Sequence, residues 1–207
     1  MIFAGLSFSA LASLVLPLGL IIYAGVKKRP LFPSIFLGAL CFFVFQLISR
    51  IPLLQFVLPQ MGWYQLMASA HPVLYILFLS LTAALFEEIG RYIIMGFFMK
   101  KQRTIDDALA FGLGHGAIES ILLVGLPTLA VLLSQNSEFY SQLSFSAAAA
   151  GGIERILTIA IHMGLSVLVM QSLRRKSLLW LLLALFMHTS VNFFSVYALN
   201  IMGLNIW

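Results

Sequence analysis

The sequence predicts an all-α, polytopic transmembrane helical bundle of about six spans, and two observations predict it. Of the 207 residues, 61% are hydrophobic and only 9% are charged, whereas a soluble domain carries about a quarter charged residues. Apolar runs of roughly twenty residues, the length a helix needs to cross a bilayer, recur along the whole chain. We therefore expect residues 1–207 to form a single integral membrane domain.

The limits of the spans follow from the polar residues that interrupt the apolar runs. The six predicted spans cover residues 2–26, 31–58, 73–99, 105–134, 150–173 and 177–203. Pro52 lies inside the second apolar run and is expected to kink or break that helix. His71 and Pro72 precede the third span, and Thr104 precedes the fourth.

The fourth span has a clear start signal. Thr104 and Asp107 have the spacing of a capping box, and the acidic pair Asp106 and Asp107 suits the positive end of a helix dipole. Pro127 lies inside this span and is expected to kink it. Short basic or polar segments separate the fifth and sixth spans from their neighbours.

The positive charges predict the orientation of the spans. Nine of the 12 Lys and Arg residues lie in three clusters of three between spans, and the loops around 59–71 and 134–145 contain none. The clusters are Lys27, Lys28 and Arg29; Lys100, Lys101 and Arg103; and Arg174, Arg175 and Lys176. The positive-inside rule then places both termini outside. We expect a multi-pass protein of a bacterial plasma membrane, in contact with lipid and with no nucleic-acid partner.

Polar residues lie at a similar depth in four of the spans. The midpoints of the predicted spans, counted at about 1.5 Å per residue, fall on or within about a turn of these residues. They are Glu87, Glu88, His115, Glu119, His162, His188 and Asn192. A charged side chain at the centre of a span costs about 2.5–3.5 kcal/mol and usually marks a functional pathway. We expect these side chains to meet in one hydrated pocket of a four-helix core over residues 73–203.

Two adjacent carboxylates at midplane favour a functional site, because helix packing does not require them in hydrocarbon. Arg91 follows Glu87 by four residues and Glu88 by three, so it can neutralise one of these carboxylates. Nearer the outer surface, Arg50 and Glu154 lie at a similar depth. We expect those two residues to form a structural ion pair.

His115 and Glu119 are four residues apart and therefore share one face of the fourth span. Gly112, Gly114 and Gly116 surround His115 in the sequence. Small residues let a neighbouring backbone come close, so we expect a helix or a substrate backbone to approach His115.

Together these residues resemble the motif series of the CAAX-protease and bacteriocin-processing superfamily. The matching motifs are Glu87-Glu88-x-x-Arg91, Phe111-x-x-x-His115, a histidine in the next span, and His188-x-x-x-Asn192. Glu119 and the segment Glu154-Arg155 followed by His162 resemble the YhfC-type membrane peptidases of that superfamily. The likeness extends from about residue 80 to the C-terminus.

The resemblance implies an intramembrane endopeptidase that cleaves a membrane-associated protein or peptide. Following the CAAX-processing relatives, Glu87 and His115 would activate water, and His188 and Asn192 would stabilise the oxyanion. The spacing from Glu88 to Arg91 is one residue shorter than in that pattern. Specificity for prenylated CAAX substrates is therefore not implied.

Two forms of the peptidase mechanism remain open. In the metal-free form, which we favour from the sequence, Glu87 is the general base and Arg91 keeps Glu88 ionised; no cofactor is then needed. In the zinc form, His115, His162, His188 and Glu87 supply the metal ligands. Glu119 and His162 belong to the candidate site in either form.

Two other classes of protein also place ionisable residues at midplane. A proton- or metal-coupled transporter uses such residues as a relay. A non-catalytic immunity or regulatory membrane protein would use them only for helix packing. Solute flux without proteolysis would identify the first class, and normal function after His188→Ala would identify the second.

Overall fold

The structure, a computed structural model, describes residues 1–134, 140 and 144–203. Within these residues, six helices are long and apolar enough to cross a membrane, which confirms the predicted all-α fold and its number of spans. They are Ile2–Lys27, Phe32–Gln60, Pro72–Phe98, Ile105–Ser134, Phe145–Arg175 and Leu179–Asn200. A short helix, Gly62–Ala70, lies between the second and third spans. The orientation of the termini stays a prediction.

Three of the spans widen into π-helical turns just before a proline. A proline lacks an N–H group, and its ring clashes with the carbonyl four residues earlier. A π-helical turn around that carbonyl accommodates the ring while the helix continues. The turns are Leu11–Val15 before Pro17, Phe43–Arg50 before Pro52, Leu53–Val57 before Pro59 in the same span, and Ser120–Gly125 before Pro127. The irregularities predicted at Pro52 and Pro127 thus take the form of widened turns.

The described chain forms two compact units. The first comprises Met1–Ala39 and Thr104–Gly164, and the second comprises Leu40–Arg103 and the described residues that follow Gly164. The second and fifth spans therefore each contribute to both units. The single domain over 1–207 and its four-helix core over 73–203 stay predictions.

In the first unit, the fourth span begins with the predicted capping box. The backbone N–H of Asp107 donates to Thr104 Oγ1 over 3.1 Å, and the backbone N–H of Thr104 donates to Asp107 Oδ2 over 3.1 Å. The hydroxyl of Ser34 donates to the other Asp107 oxygen, also over 3.1 Å. The carboxylate at the start of the fourth span thus also holds the start of the second.

Glycines let two other helices of this unit approach the fourth span closely. A Cβ at Gly114 would overlap the backbone carbonyl of Ile35, and a Cβ at Gly112 would overlap the backbone of Met163. At Gly116 the Cβ would lie 3.0 Å from the Cα of Ile159. The sequence predicted that either a helix or a substrate backbone would approach these glycines. The structure shows helices of the protein itself there.

We expect Gly114→Ala to lower the free energy of unfolding by about 1–3 kcal/mol, because the added methyl group must push the second span away. Thermal unfolding of the purified protein in micelles measures the effect. Gly164→Ala is the matched control, since a Cβ there would have no described atom within 4 Å. Equal losses in the two variants would contradict the close approach at Gly114.

In the second unit, the third span packs against the sixth and against the widened turn of the second span. Its buried residues recur at spacings of three and four, as expected for one face of a helix. That face includes Ser80, Ala84, Glu87, Glu88 and Arg91. The paired carboxylates of the sequence therefore lie on the buried side of the third span.

Candidate active site

The second unit contains a buried group of charged side chains on the third span. Glu87 is 3% exposed, and Glu88 and Arg91 are fully buried. Arg91 Nη1 donates to Glu88 Oε1, and Arg91 Nη2 lies 3.5 Å from Glu87 Oε2. The predicted pairing is confirmed, and one guanidinium reaches both carboxylates.

His188 of the sixth span joins these charged side chains. Its Nδ1 lies 2.7 Å from Glu88 Oε1, and its Nε2 lies 4.0 Å from Glu87 Oε2. Asn192, one turn further along, is half-buried and makes no hydrogen bond to the described residues through its amide group. The carboxylates of the third span therefore hold the imidazole, while a role for Asn192 stays a prediction.

We expect Arg91→Met to destabilise the protein by about 3–5 kcal/mol, because it leaves adjacent buried carboxylates without their cation. Unfolding in micelles, followed by helical circular dichroism, measures the loss. Arg174→Met serves as the control, since Arg174 is exposed at the end of the fifth span. A stable Arg91→Met protein would mean that the two carboxylates do not depend on Arg91 for their charge balance.

The first unit contains a second group of polar side chains, drawn from the fourth and fifth spans. Glu119 Oε2 lies 2.6 Å from His162 Nε2, and the rings of His115 and His162 have centroids 4.8 Å apart. His115 is fully buried, and His162 is 4% exposed. The close approach at Gly116, where His162 carbons would lie 3.3–3.4 Å from a Cβ, brings the two histidines together.

Arg155 holds the other oxygen of Glu119. Its Nη1 lies 3.0 Å from Glu119 Oε1, and the same guanidinium is paired with Glu154. Thr158 also donates to Glu154, over 3.1 Å. The contact between Arg155 and Glu119 was not predicted, because nothing in the sequence indicates towards which helix Arg155 points.

The predicted ion pair between Arg50 and Glu154 is wrong, since the structure gives each residue other partners. Arg50 donates to the backbone carbonyl of Leu79 over 2.6 Å and to Thr82 Oγ1 over 3.2 Å, whereas Glu154 is paired with Arg155. Similar depth in two helices was the only basis of that prediction. Depth does not determine the direction in which a side chain leaves its helix.

The donor set of the first unit fits a divalent metal ion. One ligand atom each from His115, Glu119 and His162 lies within 4.8 Å of the others. Two imidazoles and a carboxylate are the protein ligands of one kind of catalytic zinc site, which keeps a position for water or substrate. Arg155 gives the carboxylate the outer hydrogen-bonding partner that metal-binding carboxylates usually have.

The zinc ligand set predicted from the sequence differs from this group. It included His188, which the structure places beside Glu88 in the second unit. Glu119, which that set omitted, lies beside His162. Its position four residues after His115, on the same helix face, is the feature of the sequence that could have indicated Glu119 as a ligand. That Glu87 or His188 binds a metal stays a prediction.

Comparison with known proteins identifies the family. The chain matches the model of the family described as "YhfC intramembrane metalloprotease" over residues 12–138 and 130–207. The chain belongs to this family. It is 34% identical over 210 residues to the "Uncharacterized membrane protein YhfC" of Bacillus subtilis (strain 168), covering 90% of this chain and 81% of that protein. No solved structure matches the chain.

Membership of the YhfC family bears on two sequence predictions. The resemblance to YhfC-type peptidases is confirmed, while the wider placement in the CAAX-protease and bacteriocin-processing superfamily stays a prediction. The family description names a metalloprotease. It therefore gives no support to the metal-free, glutamic-type mechanism that we favoured from the sequence.

Proposed function

We propose that this protein is an intramembrane metalloprotease that hydrolyses a peptide bond of a membrane-associated protein or peptide. In this proposal His115, Glu119 and His162 hold the metal ion, and Glu87 is the acid–base group. The observation that carries the proposal is the set of two buried imidazoles and a partly buried carboxylate, with ligand atoms within 4.8 Å of one another. Such residues are costly inside a membrane and usually serve a function there.

Zinc is the divalent cation that this donor set suits, and a bound zinc ion supplies a Lewis acid that polarises a carbonyl and acidifies water. Arg155 fixes the orientation of the Glu119 carboxylate, because its Nη1 lies 3.0 Å from Glu119 Oε1. That contact leaves the other oxygen, which lies beside His162, directed towards the histidines. Arg155 is therefore a positioning residue.

Glu87 and Glu88 have different roles in this proposal. Glu88 is fully buried between Arg91 and His188 and positions both of them. Glu87 is buried but 3% exposed, whereas Glu88 is fully buried, and we assign Glu87 the exchange of protons with substrate. It takes the proton from the attacking water and returns it to the leaving amine, which restores the carboxylate.

His188 and Asn192 keep the role that the resemblance implies for them, stabilisation of the oxyanion. In the protonated form of His188 that this role requires, Nδ1–H donates to Glu88, and Nε2–H is the donor left for the oxyanion. Asn192 follows by one helical turn on the same face and offers an amide donor. Glu88 would thus act through His188 rather than on the substrate.

Removal of metal tests the proposal directly. We expect purified protein to contain about one zinc ion per chain, as a three-ligand catalytic site binds. Newly formed N-termini in the membrane proteins of cells with and without the protein give the cleaved bonds, and a synthetic peptide spanning one such bond gives the assay. Chelation should abolish cleavage and added zinc should restore it.

The other outcomes identify the alternatives. Cleavage that survives complete loss of metal would support the metal-free glutamic-type mechanism and reject the metal site. Absence of new N-termini, together with proton or metal flux into liposomes, would indicate a transporter. Absence of both activities would indicate a non-catalytic partner protein.

A further inference from the structure

Gln46 is a polar residue in the widened turn of the second span, and the sequence did not single it out. It is 6% exposed, and its amide Nε2 donates to Glu87 Oε1 over 2.6 Å. Arg91 and His188 lie on the other carboxylate oxygen, Oε2, at 3.5 Å and 4.0 Å. Gln46 therefore donates a hydrogen bond to Oε1 of the carboxylate to which we assign proton transfer.

Arg50 determines which way round the Gln46 amide sits. Arg50 Nη1 donates to Gln46 Oε1 over 3.3 Å. A guanidinium has only donors and an amide has one acceptor and two donors, so the amide oxygen must face Arg50. The NH2 group must then face Glu87, which needs a donor. The two contacts agree on a single orientation of the amide.

Arg50 is in turn held by the helix that carries Glu87. Its guanidinium donates to the carbonyl of Leu79 over 2.6 Å and to Thr82 Oγ1 over 3.2 Å, and both residues precede Glu87 on the third span. Arg50 is only 9% exposed, and an arginine in a span is costly unless it has such partners. The third span thus fixes the position of Arg50, and Arg50 in turn orients the Gln46 amide that donates to Glu87.

We propose that Gln46 and Arg50 are positioning residues for Glu87, with Arg50 acting through the orientation of the Gln46 amide. This inference rests on the function proposed above. A carboxylate held through both oxygens keeps one rotation about its Cγ–Cδ bond. Loss of the Gln46 donor would release that rotation and misalign the group that moves the proton, an effect on the chemical step rather than on substrate binding.

The test uses Gln46→Met, which keeps the side-chain length and removes its hydrogen bonds. We expect kcat for the synthetic peptide to fall by about 10- to 100-fold, since small misplacements of reacting groups cost that much, with KM within about twofold. Gln60→Met is the matched control, because Gln60 lies at the end of the same span and its exposed amide donates, among the described residues, only to the Phe56 carbonyl.

Arg50 is tested by a double-variant cycle. If Arg50 acts through Gln46, Arg50→Met should lower kcat in the wild-type background and have little further effect when combined with Gln46→Met. Arg50→Lys, which keeps one donor and the charge, replaces Arg50→Met if that protein does not fold. Additive losses in the double variant would overturn the role of Arg50.

Infrared spectroscopy tests the Gln46–Glu87 hydrogen bond without an activity assay. The difference spectrum between wild type and Glu87→Gln gives the carboxyl band of Glu87, which should shift in Gln46→Met and not in Gln60→Met. An unshifted band, or a shifted band with unchanged kcat, would overturn the inference. A wild-type protein without peptidase activity would instead reject the proposed function, and the band would still report the hydrogen bond.

Discussion

Glu87→Gln is expected to lower kcat for peptide cleavage by about 10²- to 10⁴-fold, the usual contribution of a general acid–base group. Glutamine has nearly the same shape and can still accept a hydrogen bond from Gln46, but it cannot carry the proton from water to the leaving amine. Kinetics with the synthetic peptide measure the loss. Arg91 keeps Glu88 as its partner, so the variant should fold.

The control for this variant is Asp106→Asn, the same carboxylate-to-amide change at an exposed ion pair with Lys28. We expect its activity to match that of the wild type. Zinc content should also stay at the wild-type level in Glu87→Gln, because the three proposed ligands are other residues. Cleavage by Glu87→Gln at the normal rate would remove Glu87 from the acid–base role.

His162→Ala is expected to remove both the bound metal and the activity. With His115 and Glu119 alone, the site has two of the three protein ligands that catalytic zinc sites usually have. We expect the zinc content to fall below roughly a tenth of an ion per chain after dialysis, and kcat to fall at least about 10²-fold, because the metal supplies the Lewis acid. Metal analysis and kinetics measure the two effects.

His71→Ala is the matched control, since His71 is exposed at the start of the third span. It should keep the wild-type metal content and activity. Full zinc content in His162→Ala would show that the metal, if present, is held elsewhere. Loss of activity with full metal content would assign His162 a role other than metal binding.

Much of the fold could be predicted because hydrocarbon imposes simple rules on a sequence. Helix length and apolar composition determine the six spans, and Thr104 with Asp107 marks a helix start whatever surrounds it. Contacts within one helix, such as Arg91 with Glu87, also follow from spacing alone. These predictions depend only on residues that are near one another in the chain.

The rest of the site depends on the rotation of each helix about its own axis. Depth follows from the rise per residue, but rotation depends on how neighbouring helices pack, so the partners of Arg50 and Arg155 could not be predicted. Gln46 illustrates a second limit. A neutral polar residue in an apolar run is common, and only its contact with Glu87 distinguishes it.

The widened turn from Ser120 to Gly125 begins directly after Glu119, and this has a consequence for the evolution of the chain. In a regular helix, the loss of one residue rotates all that follows by about 100°. A π-helical turn holds surplus backbone, so a one-residue deletion there can be absorbed by tightening to α geometry. A relative that lacks one residue between 120 and 125 can therefore keep the part of the span from Leu126 onward in the same rotation relative to His115 and Glu119.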